Sequence, residues 1–144
     1  MNRRRRKKSA TRLVAAADSG DLAAVRAALR AGADPGAPDA EGTTALYAAS
    51  VQGATDVVGA LLAAGAAPDA ESAGTGAEGT SLCAAACWGH TGTVRALLAH
   101  GADPDLREDG GTGLTPLEWA LRGQHAGTAE VLRAAGAAVT SAGG

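Results

Sequence analysis

Cys83 and Cys87 stand four residues apart, and His90 follows the second thiol by three. Residues four apart share one face of a helix, so both thiols would point the same way. One chemistry such a set suggests is a metal site. A structural zinc needs about four ligands at characteristic spacing, and the fourth candidate, His100, falls at the far end of the following helix. A disulfide is disfavoured, because helical geometry sets the two Cβ atoms alongside rather than aimed at each other. The other chemistry is a Cys87 nucleophile with His90 as its base, but no third group orients the imidazole and no oxyanion hole is evident. Asp34, Asp103 and Asp105 follow Gly-Ala pairs and read as turn carboxylates. The glycine clusters are followed by no Gly-Lys-Ser/Thr, so they are not phosphate loops. Both thiols therefore read as structural, and no catalytic residue, metal or cofactor is expected.

The elements that carry these residues recur. Gly-Ala pairs stand at Gly32-Ala33, Gly65-Ala66, Gly101-Ala102 and Gly136-Ala137, spaced by 33, 36 and 35 residues. Thr11, Thr44, Thr80 and Thr115 each precede those glycines by 21 residues, and Leu13, Leu46, Leu82 and Leu117 follow the threonines by two. Repetition at such a period marks a solenoid. Each threonine is placed to N-cap a first helix, and Pro116 takes the favoured first helical position after its cap. Alanines fill that helix, as in Ala15-Ala16-Ala17 and Ala84-Ala85-Ala86, which favours helix and lets neighbours approach closely. Gly20, Gly53 and Gly89 are placed to end it in the left-handed conformation. A second helix then carries apolar residues at helical spacing, Val58, Leu61 and Leu62 in one copy and Val94, Leu97 and Leu98 in the next.

This grammar resembles the ankyrin repeat family, whose unit is about 33 residues with a Thr-Pro-Leu-His-x-Ala signature. Thr115-Pro116-Leu117 matches the signature literally, while Thr80-Ser81-Leu82 and Thr44-Ala45-Leu46 differ at the proline. Gly42-Thr43-Thr44 and Gly113-Leu114-Thr115 supply the turn that precedes the first helix in the family. The resemblance implies an all-α solenoid of four helix-turn-helix repeats joined by β-turn-like loops. Its repeats would span about 11–38, 39–70, 71–105 and 106–139, with 140–144 a frayed tail. It also implies a module that binds a partner protein and does no chemistry. The signature histidine is replaced by Val14, Tyr47, Cys83 and Glu118, which removes the family's hydrogen-bonding ladder at that position. His90 and His125 occupy its Gly-His position, where the imidazole is expected to stay with the local backbone. Gln124 replaces the helix-ending glycine of the last copy, with Gly123 beside it as the substitute, and Arg133 in place of leucine suits a terminal cap.

In the family, the residues just before the helix-ending glycine face a concave groove and vary with the partner. Here they are Asp18-Ser19, Val51-Gln52, Cys87-Trp88 and Arg122-Gly123, with Glu41, Thr43 and Leu114 rimming the groove from the preceding turns. The implied partner-binding set is Glu41, Thr43, Val51, Gln52, Cys87, Trp88, Leu114 and Arg122. Trp88 is the anchor, since large aromatics dominate interface energies; the alternative is that it covers a neighbouring repeat or an inserted loop. Trp119 reads as packing. Repeats 3 and 4 carry three and two extra residues before their first helices, and insertions in repeat proteins map to one face, often the binding face.

Charge is lopsided. Arg3, Arg4, Arg5, Arg6, Lys7 and Lys8 are six of the thirteen cationic side chains, which leaves seven against fifteen Asp and Glu in the rest. A block of like charge is expected to be disordered, here over residues 1–10, and often serves as an interaction tail. Binding of nucleic acid or an anionic membrane through this arm is the alternative function; a solvated terminus is the plainer reading. A secretory signal fails because the apolar run from Leu13 is cut by Asp18. No apolar run approaches the roughly 20 residues of a membrane span. A soluble, cytoplasmic monomer is expected.

Overall fold

The computed structural model describes residues 3–74 and 76–137. Four helix pairs follow one another: α1 (Arg3–Asp18) with α2 (Leu22–Arg30), α3 (Ala45–Gln52) with α4 (Thr55–Ala63), α5 (Ser81–Cys87) with α6 (Thr91–Ala99), and α8 (Pro116–Arg122) with α9 (Ala126–Ala134). A single tight turn, α7 (Glu108–Gly111), precedes the last pair. First helices pack on first helices in the order α1, α3, α5, α8, and second helices on second helices in the order α2, α4, α6, α9. Leu13, Leu46, Leu82 and Leu117 form one buried row, and Val25, Leu61, Leu97 and Leu132 fill the layer beneath it. No helix among the described residues is long and apolar enough to cross a membrane.

The helix starts follow from the threonines. The Oγ1 atoms of Thr44, Thr80 and Thr115 accept from the backbone N–H three residues on, at 3.2, 3.3 and 3.1 Å. Thr115 completes a capping box, for its own N–H donates to Glu118 Oε1 at 2.9 Å. Gly53 and Gly89 take φ of 70° and 71° where the first helices of repeats 2 and 3 end.

Polar links stitch repeats 2, 3 and 4. His90 Nε2 lies 2.9 Å from the Val51 carbonyl oxygen, and His125 Nε2 lies 3.0 Å from that of Cys87. Each imidazole thus reaches back to the last turn of the preceding repeat's first helix, rather than to its own backbone as the sequence suggested. The hydroxyl pairs Thr55–Thr93 at 2.9 Å and Thr91–Thr128 at 2.8 Å join the same repeats at the second helices.

Four further features depart from the sequence reading. The stretch expected as a disordered arm is helical from Arg3, and Thr11 lies inside α1, its hydroxyl donating to the Lys7 carbonyl at 2.9 Å instead of capping. Charge density alone pointed to disorder, but α1 is anchored by buried Ala10, Leu13, Val14 and Ala17. Extending an anchored helix adds one hydrogen bond per residue, and arginine and lysine are good helix formers. Next, the longer loop of repeat 3 is a hairpin, β1 (Glu71–Gly74) antiparallel to β2 (Ala77–Thr80), with Glu71 opposite Thr80. It leans on repeat 2: Ala73 N–H donates to the Gly42 carbonyl at 3.0 Å, and Ser72 Oγ accepts from Thr44 N–H at 3.3 Å. The turn α7 places Asp109 and Gly110 at φ of 52° and 64°, so it is not regular helix. Finally, Gln124 itself takes the left-handed position at φ 61°, and Gly123 does not substitute for it. A Cβ on Gly123 would stand 3.0 Å from the Cys87 carbonyl oxygen, so its glycine serves close approach between repeats. Of the final stretch, residues 140–144 lie outside the described residues.

Candidate interaction groove

Because the first helices stand side by side, their C-terminal ends form a row. Asp18, Gln52, Trp88 and Arg122 occupy it and all four are exposed. Gln52 Nε2 donates to Asp18 Oδ1 across the first junction at 3.3 Å. Trp88 is 61% exposed, the larger of two big exposed apolar side chains among the described residues. Most of its surface is therefore left open by the neighbouring repeats and the hairpin. Val51 and Cys87 are half-buried, since their turns carry the carbonyls that receive His90 and His125.

The loops form a second row beside the first. Asp39 Oδ1 accepts from Glu41 N–H at 2.9 Å and Thr43 N–H at 3.0 Å, which fixes the turn that presents both residues. Glu41 and Thr43 then meet Asp18, Asp39, Thr11, Val14, Ala15 and Ala48 around a cleft of about 340 Å³. Leu114 is half-buried, and its carbonyl receives Glu108 N–H at 3.2 Å and the Cys83 thiol at 3.6 Å. Residues placed in one binding set by sequence therefore divide into helix ends and loop turns on successive repeats. Glu41 and Thr43 share a cleft, while Trp88 and Arg122 stand further along the stack.

Tyr47, at the signature-histidine position of α3, is half-buried. Burial raises its phenol pKa, and the carboxylates of Glu108 and Glu78 and the thiols of Cys87 and Cys83 push it further. Neither Tyr47 nor Glu108 was proposed as a site residue from sequence. Tyr47 did carry a signal, since it replaces the signature histidine. Glu108 carried none, because a carboxylate among loop glycines resembles any turn residue.

Glu108 pins its loop to the preceding repeat. It accepts from Trp119 Nε1 at 3.0 Å and from Thr80 N–H at 3.3 Å. Burial raises its pKa from the ordinary carboxylate value, although those hydrogen bonds pull the other way. The folded chain thus keeps this proton to higher pH than the unfolded chain. Its contribution favours folding at low pH and is lost as pH rises from the unfolded value, about 4.3, through the folded one. Glu108→Gln is expected to flatten the fall in melting temperature across that window, measured by thermal melts of both proteins in matched buffers.

The thiols sit in surroundings that oppose reactivity. Burial raises the Cys83 pKa strongly, and burial and then Glu108 raise that of Cys87, so both are held protonated. The His90 ring lodges against Gly53 of the preceding repeat, where an added Cβ would come within 2.6 Å of Nδ1. Among the described residues no three His, Cys, Asp or Glu side chains gather as a metal ion would require.

Stacked helix pairs, threonine-capped first helices and loops turned to one side define a repeat protein. A model of ankyrin repeats, three copies in length, matches residues 2–72 and again 71–142. The chain belongs to the ankyrin repeat family. No curated protein matches it.

Proposed function

We propose that the chain is a non-catalytic module that captures a partner protein between its helix ends and its loops, with Trp88 as the anchor. Ankyrin repeats generally mediate protein–protein interaction, and one observation carries the finer reading: a tryptophan 61% exposed at the end of α5. Leaving so large an apolar side chain in water has a cost that a partner would recover. The other repeats hold Ser19, Gln52 and Gly123 at the matching positions, whereas the leucine row repeats without change. A structural position tends to recur from copy to copy; a recognition position need not. The thiols are both free, which suits the reducing cytoplasm.

The test is a partner captured from the native source and then titrated against variants. Trp88→Ala should weaken that complex by about 2 kcal/mol or more, the size of an interface hot spot. It should leave the melting temperature nearly unchanged. Loss of melting temperature with full binding would remove Trp88 from the interface.

A further inference from the structure

The charges of this chain are sorted in space. Ten of its fifteen Asp and Glu fall in the loop stretches 31–43, 66–80 and 101–114, whose single cation, Arg107, is engaged by Glu118 and the Gly113 carbonyl. Nine of its thirteen Lys and Arg fall in α1 and α2. Helix α1 has 16 residues against 8, 7 and 7 in α3, α5 and α8. Its first six residues, Arg3 to Lys8, are all exposed, and burial begins only at Ala10. At 1.5 Å per residue the surplus forms a cationic rod extending about 12 Å.

That rod is electrostatically unfavourable by itself. Arg3–Arg6, Arg4–Lys7, Arg5–Lys8, Arg3–Lys7 and Arg4–Lys8 are like-charge pairs at three or four residues, which repel on a helix surface. The cations also crowd the positive end of the helix dipole. Anionic cover would reverse both effects. Asp34 lines one pocket with Arg6, but the rod cannot reach its own Trp88, because buried Ala10, Leu13, Val14 and Ala17 hold α1 two repeats away from it.

We infer that the acidic groove beside Trp88 receives the α1 rod of a second copy of this chain. The inference rests on the groove reading above and names one occupant for it. Glu41, Glu78 and Asp109 are exposed along the loop row, so the loop wall offers the carboxylates, while the helix ends are mixed, with Asp18 bonded to Gln52 and Arg122 on the repeat after Trp88. Arginine guanidinium groups pair with carboxylates and stack on a tryptophan face, here that of Trp88. The contact joins unlike surfaces and does not close on itself, so copies add head to tail.

Sedimentation velocity of the full chain tests this. Association should grow with protein concentration at about 0.02 M salt and vanish at about 0.5 M, where charges a few ångströms apart are screened. A rod variant, Arg3, Arg4, Arg6, Lys7 and Lys8 each to Gln, keeps its groove. A groove variant, Trp88→Ala with Glu78→Gln, keeps its rod. Each alone should associate at least about tenfold more weakly, with melting temperature unchanged, and their mixture should give a 1:1 dimer that grows no further. A full chain that stays monomeric at low salt overturns the inference and leaves the groove reading standing. So does a monomeric chain whose rod instead binds duplex DNA. Association that needs the rod but ignores both groove substitutions overturns the inference too, and the partner titration of Trp88→Ala then decides the groove reading separately.

Discussion

Leu82→Ala is expected to lower the stability of the chain by about 2–5 kcal/mol. Leu82 is 2% exposed and stands in the buried row between Leu46 and Leu117. Its own helix offers only the short Ala84, Ala85 and Ala86, and Leu46 and Leu117 already fill their own places in the row, so little can swing into the vacated space. The site cannot collapse, and the cavity term adds to the lost transfer energy. The row also runs through four repeats, so the cavity loosens both junctions of repeat 3 and should be felt in the unfolding of the whole stack. The denaturant midpoint checks the change. Trp88→Ala is the counterpart, since an exposed residue should shift stability by no more than about 0.5 kcal/mol.

Gly89→Ala is expected to cost about 2–5 kcal/mol, from two sources. At φ 71° the residue is left-handed, which penalises a Cβ by about 1–2 kcal/mol. That Cβ would also stand 2.5 Å from His125 Nδ1. The ring must move, and the bond it makes to the Cys87 carbonyl is lost, at a cost of about 1–3 kcal/mol for a buried polar group left unmatched. Gly101→Ala separates the two, because Gly101 has φ 94° with nothing within 4 Å of an added Cβ. It should show the backbone term alone and lose roughly half as much. Equal losses in urea melts of the two variants would mean that the histidine link contributes nothing.

What the sequence made legible was whatever repeats at fixed offsets. Thr44, Thr80 and Thr115 cap because a hydroxyl at a helix start finds the same orphan N–H in every copy. The leucine row is buried because each copy needs the same plug. What stayed illegible depends on contact between copies. His90 and His125 choose a carbonyl one repeat away, and nothing local distinguishes that from a bond within the turn. The hairpin of repeat 3 was hidden because Glu71 to Gly79 is rich in glycine, which argues against strand; its pairing is fixed by the loop of repeat 2. The basic run misled for a related reason. Its charge says disorder, while the helix it continues is held by residues further along.

The polar links have a consequence for how the stack comes apart. They join repeat 2 to 3 and repeat 3 to 4, but the first junction differs. There Ala54 stands at the histidine position and Leu22 and Val57 at the threonine positions, and the described side-chain bond across it is the exposed Gln52–Asp18 contact. A chain of coupled units opens first at its weakest seam. Amide hydrogen exchange should therefore fall into two tiers, with α1 and α2 exchanging together through a partial opening while α5 and α8 wait for global unfolding.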